Sequence, residues 1–256
     1  MELKANHDSW VVFPLPQAQA RLRLFCFPYA GGGAALFRKW AVKLPSEIEV
    51  CPVQLPGRET RLFEPAFTRL PPLINTLAEV LQPYLALPFA FFGHSMGAII
   101  SFELARHLRR QNSVIPLHLF VAGCAAPQIP NADPPISQLP MPEFIAELRR
   151  LNGTPEAVLQ HAELMQLLLP TLRADFALCE TYVYNPEAPL DCSISTFGGI
   201  DDMKVTLNDV AAWADQTNGL FWLHKMPGDH FFPVSAQTSL LQAMSHDLHY
   251  LLRFIT

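Results

Sequence analysis

Phe89-Ala90-Phe91-Phe92-Gly93-His94-Ser95-Met96-Gly97-Ala98-Ile99-Ile100 runs from an apolar segment through Gly-His-Ser-Met-Gly into a helical pattern. A serine placed on so sharp a strand-to-helix turn has its hydroxyl exposed, and the residues two before and two after it must be tiny for the backbone segments to pass. Gly93 and Gly97 occupy those places. With 11 serines and 12 glycines in 256 residues, roughly 0.02 accidental matches to the pattern are expected in such a chain. The stretch therefore reads as a nucleophile elbow. Phe89 to Phe92, after Pro88, has the character of a buried central strand, and Ala98 to Arg110 carries apolar residues at helical spacing.

Working outward, strand-like and helical segments alternate. Arg23 to Pro28 is strand-like and ends in Tyr29-Ala30-Gly31-Gly32-Gly33, after which Ala34 to Leu44 shows helical periodicity. The glycine run lacks a P-loop lysine and the spaced glycines of a dinucleotide fingerprint. Beside an elbow it reads as the loop that lends one backbone N–H to an oxyanion hole. Ile48 to Val53 is a second strand, leading into the Pro-Gly turn of Gln54-Leu55-Pro56-Gly57-Arg58-Glu59. Leu70 to Leu85 predicts a helix, and Leu117 to Gly123 another buried strand. This rhythm implies an α/β protein with a parallel sheet and right-handed crossovers.

The rhythm stops after Gly123. Residues 125–190 far exceed an ordinary connection and predict an insertion within a single domain spanning residues 1–256. It opens with the proline-rich stretch Pro127 to Pro142, then turns helical over Pro142 to Leu151 and Pro155 to Tyr184, with a break expected near Leu169, before Pro170. Such helices can cover a pocket and line an apolar channel. The sheet resumes at Cys192 to Phe197, followed by Gly198-Gly199-Ile200-Asp201-Asp202-Met203 and a helix around Leu207 to Trp213. Leu220 to His224 is the last strand; Pro227-Gly228-Asp229-His230 makes a turn, and Val234 to Phe254 a closing helix.

Composition excludes several classes. Half of the residues are hydrophobic and 16% are charged, which describes a globular chain. A net charge of −5 lacks the basic excess that nucleic-acid binding needs. Met1 to Asp8 lack the apolar core of a signal peptide and no run reaches membrane-spanning length, so a cytoplasmic location is the default. The five cysteines, at 26, 51, 124, 179 and 192, have no ligand-like spacing and read as reduced, buried residues. His246 and His249, at i and i+3, lack the further ligands a metal would need.

Serine, then aspartate after a strand, then histidine after the last strand is the chain order of an α/β-hydrolase triad. In that reading Ser95 is the nucleophile, His230 takes its proton, and an acid holds the imidazole. Two adjacent aspartates compete for the last role. The pattern Gly-x-x-Asp with an apolar residue three further on selects Asp202, leaving Asp201 as runner-up. The backbone N–H groups of Met96 and Tyr29 are the expected oxyanion donors. An esterase or acyltransferase would share these parts, and the intact Ser, Asp and His disfavour a non-catalytic binding module.

Taken together, Phe27-Pro28-Tyr29-Ala30-Gly31-Gly32, Val53 to Glu59, Gly93 to Gly97, Leu139-Pro140 with Phe144, Phe197 to Asp202 and Pro227 to Phe232 resemble the type II thioesterases that accompany polyketide synthases and nonribosomal peptide synthetases. The resemblance spans nearly the whole chain. It implies an α/β-hydrolase fold with a helical lid, and hydrolysis of misprimed or stalled acyl groups from the phosphopantetheine arm of carrier proteins through an acyl-enzyme at Ser95. The expected protein is a monomer that needs no cofactor or metal and meets its carrier protein transiently. Met203 departs from the proline many relatives carry after the aspartate. Arg106, Arg109 and Arg110, at i, i+3 and i+4, form a candidate face for an acidic carrier, with the alternative that cations near a helix C-terminus simply suit its dipole.

Overall fold

A computed structural model describes residues 10–112, 114–131 and 133–255; the N-terminal stretch read above for targeting, Met1 to Asp8, lies outside them. Six strands form one sheet, β1 (Leu22–Phe27), β2 (Ile48–Pro52), β3 (Phe89–His94), β4 (His118–Ala122), β5 (Ser193–Gly199) and β6 (Phe221–Met226). Their order is β2-β1-β3-β4-β5-β6 and every neighbouring pair is parallel. Parallel strands need crossovers over the faces, so both faces are covered and the strands read as apolar runs. The period of two sorts them: Phe25, Phe27, Phe89 and Phe91 pack on the side of α1 (Leu70–Leu81) and α2 (Met96–Arg110). Leu24, Cys26, Ala90 and Phe92 pack on the opposite side, under the segment Ala34–Trp40 and the closing helix α8 (Gln237–Leu252).

Between β4 and β5 the chain leaves the sheet for three helices, α3 (Met141–Leu151), α4 (Glu156–Leu159) and α5 (Ala162–Glu180). They carry a small apolar cluster of their own, with Phe144, Leu148, Met165 and Leu172 buried in it. The remaining α-helices among the described residues are α6 (Leu207–Ala211) and α7 (Phe232–Ser235). Among the described residues no helix is long and apolar enough to cross a membrane.

Three expectations are corrected. Residues 34–40 form a 3-10 helix; in that geometry residues three apart eclipse, so Phe37 and Trp40 both meet the Phe92 ring. No break occurs near Leu169, because α5 runs unbroken through Pro170. The proline and Gln166, whose carbonyl loses its helical donor, are both exposed, so water can replace the missing bond. Arg106, Arg109 and Arg110 do not form a free cationic face. Arg106 is only 2% exposed and bonds Glu103 and the Asn185 carbonyl, while all three arginines pair with Glu187. They fasten α2 to the strand-bound end of the insertion.

Candidate active site

Ser95 sits between β3 and α2 with φ 52° and ψ −112°, a backbone region that costs a non-glycine residue about 1–3 kcal/mol. Its neighbours explain how the turn closes. A Cβ on Gly93 would lie 2.2 Å from the Gly97 carbonyl oxygen, and one on Gly97 would lie 2.1 Å from the Phe27 carbonyl oxygen. Those contacts also bring the end of β1, and with it Tyr29, against the elbow. The Ser95 N–H donates to the Ala122 carbonyl at 2.9 Å, which ties the turn to β4. Met96 is the first residue of α2, and N–H groups in a first helical turn have no acceptor within the helix.

Asp202 follows β5 and His230 follows β6. The two loops are joined by the Asp201 N–H, which donates to the Gly228 carbonyl at 3.0 Å. His230 Nδ1 donates to Asp202 Oδ2 at 2.8 Å. Asp202 Oδ1 accepts the N–H groups of Lys204 and Val205 at 2.8 and 3.0 Å, fixing the carboxylate plane. Burial alone would raise the Asp202 carboxyl pKa; the hydrogen bond and charge from His230 and the two amides outweigh it and hold the pKa below the usual value. Asp201 is exposed and has no such bond to His230.

The sequence pattern assigns His94 no role. Its Nε2 lies 2.9 Å from the His230 carbonyl oxygen, and burial together with His230 pushes its pKa down to about 3. A neutral His94 therefore donates this bond and pins the backbone of the histidine loop. Tyr29, Phe231 and His94 pack edge to face around it. The sequence signal was only adjacency to Ser95.

Ser95, Asp202 and His230 all line one cavity of about 310 Å³. Its apolar wall comes from the insertion, through Leu148 and Leu151 of α3 and Leu172 and Phe176 of α5. Tyr29 and Ala30 of the glycine loop line it too.

A second set of Ser, His and Asp side chains lies elsewhere, between the sheet and α8. Ser195 Oγ donates to Asp247 Oδ2 at 2.7 Å and stands 2.8 Å from His118 Nε2. Because the single hydroxyl proton goes to the carboxylate, the serine accepts from His118 and has no proton to give to it, the reverse of nucleophile activation. Ser195 and His118 are wholly buried and neither lines the cavity. Burial also pushes the Cys124, Cys179 and Cys192 thiols up to about 12, which keeps them protonated. His246 Nδ1 lies 3.2 Å from Asp247 and His249 Nδ1 donates to the Ser245 carbonyl; among the described residues no cluster of three or more His, Cys, Asp or Glu could hold a metal ion.

Several known proteins are similar to this chain over most of its length. The gramicidin S biosynthesis protein GrsT of Aneurinibacillus migulanus is 49% identical over 96% of both chains. The linear gramicidin dehydrogenase LgrE of Brevibacillus parabrevis is 47% identical over 94% of this chain and 93% of its own. The solved structure of the type II thioesterase BorB from the borrelidin biosynthetic cluster superposes with a TM-score of 0.85 at 35% identity, covering 93% of this chain and 97% of that one. The thioesterase domain model matches residues 22–248, and with that match over nearly the whole chain the protein belongs to the thioesterase domain family.

Proposed function

We propose that the chain is a cytoplasmic, monomeric type II thioesterase, which hydrolyses misprimed or stalled acyl groups from the phosphopantetheine arm of carrier proteins in a polyketide or nonribosomal peptide pathway. Ser95 Oγ attacks the thioester carbonyl as His230 Nε2 takes its proton; Asp202 holds the imidazole tautomer and stabilises its charged form. The N–H groups of Met96 and Tyr29 receive the negative charge that develops on the carbonyl oxygen. His230 returns the proton to the departing thiol, and water, activated by the same imidazole, releases the acid from Ser95.

One observation carries this reading: Ser95, on its strained turn, shares a cavity with a His230 bonded to Asp202, under an apolar wall supplied by the insertion. That wall serves as the lid over the acyl group, and the relatives' place in peptide and polyketide pathways supports the carrier-bound substrate. The cavity volume sits at the low end for small-molecule pockets, which suits a short acyl group.

The test is to load a carrier protein with acetyl, propionyl and longer acyl groups and follow deacylation by the wild type and by Ser95→Ala. Wild type should clear the short chains, and the variant should lose roughly 10³-fold or more in rate. Equal rates for the two proteins would end the serine mechanism; faster cleavage of free aryl esters than of any carrier-bound thioester would favour a general esterase.

A further inference from the structure

The glycine loop after β1 is gripped by a charged pair whose members stand 117 residues apart in the chain. Arg58, from the Pro-Gly-Arg-Glu turn, meets Asp175 of α5 through Nη1 to Oδ2 at 2.8 Å and Nη2 to Oδ1 at 2.7 Å. Both side chains are buried, and a two-bond fork of this kind fixes both planes. Further bonds from the pair reach the loop. The Gly31 N–H donates to Asp175 Oδ2 at 2.7 Å, and Arg58 Nη1 donates to the Gly32 carbonyl at 3.0 Å. Those groups belong to the turn that the Gly32 N–H closes onto the Tyr29 carbonyl at 2.9 Å.

The anchors are themselves held. Gln54 Nε2 donates to the Arg58 carbonyl at 2.8 Å, and Thr171 Oγ1, one helical turn before Asp175, donates to the Gly57 carbonyl at 2.5 Å. On the same stretch of α5, Leu172 and Phe176 form the cavity wall. One side of the helix thus faces the acyl cavity while the adjoining side holds the loop. A buried ion pair is a poor source of stability compared with an apolar pair of equal volume, because desolvating both charges offsets their attraction. Directing its bonds at one turn gives it a geometric use instead.

We propose that Arg58 and Asp175 are positioning residues for the oxyanion-binding loop, holding the Tyr29 N–H at a fixed place relative to Ser95 and to the α5 wall. The proposal rests on the hydrolytic reading of the Ser95 site. It is tested without a carrier protein, so that failure of carrier deacylation and failure of this proposal are separate results.

The experiment measures hydrolysis of a short-chain aryl ester, and inhibition by an alkylboronic acid that forms a tetrahedral adduct on a serine hydroxyl, for the wild type, Asp175→Asn and Arg58→Lys, per folded site and well below each melting temperature. Misplacing one oxyanion donor by a fraction of an ångström should lower kcat roughly 10- to 100-fold with KM changed little, and weaken the boronic acid by a similar factor. Variants that melt earlier but keep wild-type kcat and boronic acid affinity would overturn the proposal. So would a loss confined to KM, or failure of both variants to fold, since each makes the pair a structural brace only.

Discussion

The two adjacent carboxylates after β5 show how backbone detail gives identical side chains different surroundings. Asp202 is turned inward by two amide hydrogen bonds and meets His230 Nδ1, whereas Asp201 is exposed. Replacing Asp202 with asparagine leaves the shape but offers the imidazole the wrong tautomer and no charge. On the thioesterase reading, Asp202→Asn should lower kcat for an acyl thioester by roughly 10⁴-fold, with Asp201→Asn within about twofold of wild type. The reverse ranking would move the acid role to Asp201. The spacing from Gly199 to Val205 singles out Asp202, the carboxylate that meets His230. The bond from His94 to the His230 carbonyl was not legible in the sequence, because it joins residues brought together only by the sheet order.

Among the elements, α5 departs from what periodicity conveys, and α8 makes contacts that periodicity does not convey. Pro170 argues for a broken α5, but tertiary bonds at Thr171 and Asp175 hold the helix beyond it. Strand and helix order, the helices between β4 and β5, and the loops bearing Ser95, Asp202 and His230 could all be read from apolar runs and turn residues. The pairing of Arg58 with Asp175 could not, since the two lie 117 residues apart and no local pattern encodes how α5 packs. On α8, Asp247 reaches Ser195 of β5 and His224 of β6 at 2.7 and 2.9 Å, locking the closing helix to the sheet. Ser195→Ala leaves His118 Nε2 without its acceptor and takes a donor from Asp247. It should cost about 1–3 kcal/mol in urea unfolding, with kcat on a thioester unchanged. A collapse of kcat at full stability would instead identify Ser195 as part of the catalytic site.

At the scale of the molecule, two fully buried imidazoles make stability depend on pH. Burial, the first cause for both, pushes His94 and His118 down to about 3, against about 6.5 in an unfolded chain. Each binds its proton on unfolding throughout that window, so their contribution is complete above pH 6.5 and is lost progressively as pH falls towards 3. Between pH 7.5 and 5.0 the two together should remove roughly 4 kcal/mol of unfolding free energy in urea titrations, with uptake of about two protons on unfolding at pH 5. Stability that stays level over that interval would show that neither imidazole is held neutral. The acidic members, Asp202 and Asp247, act lower, where their depressed carboxyls protonate.

In the proposed mechanism Ser95 carries the acyl group. The deacylation of an acyl-loaded carrier protein, quenched in acid during turnover and followed by peptide mass spectrometry, reads that step directly. The peptide containing Ser95 should gain the mass of the acyl group, and the gain should vanish in Ser95→Ala together with hydrolysis. An acyl group found on Ser195 or a cysteine, or hydrolysis that continues in Ser95→Ala, would contradict it.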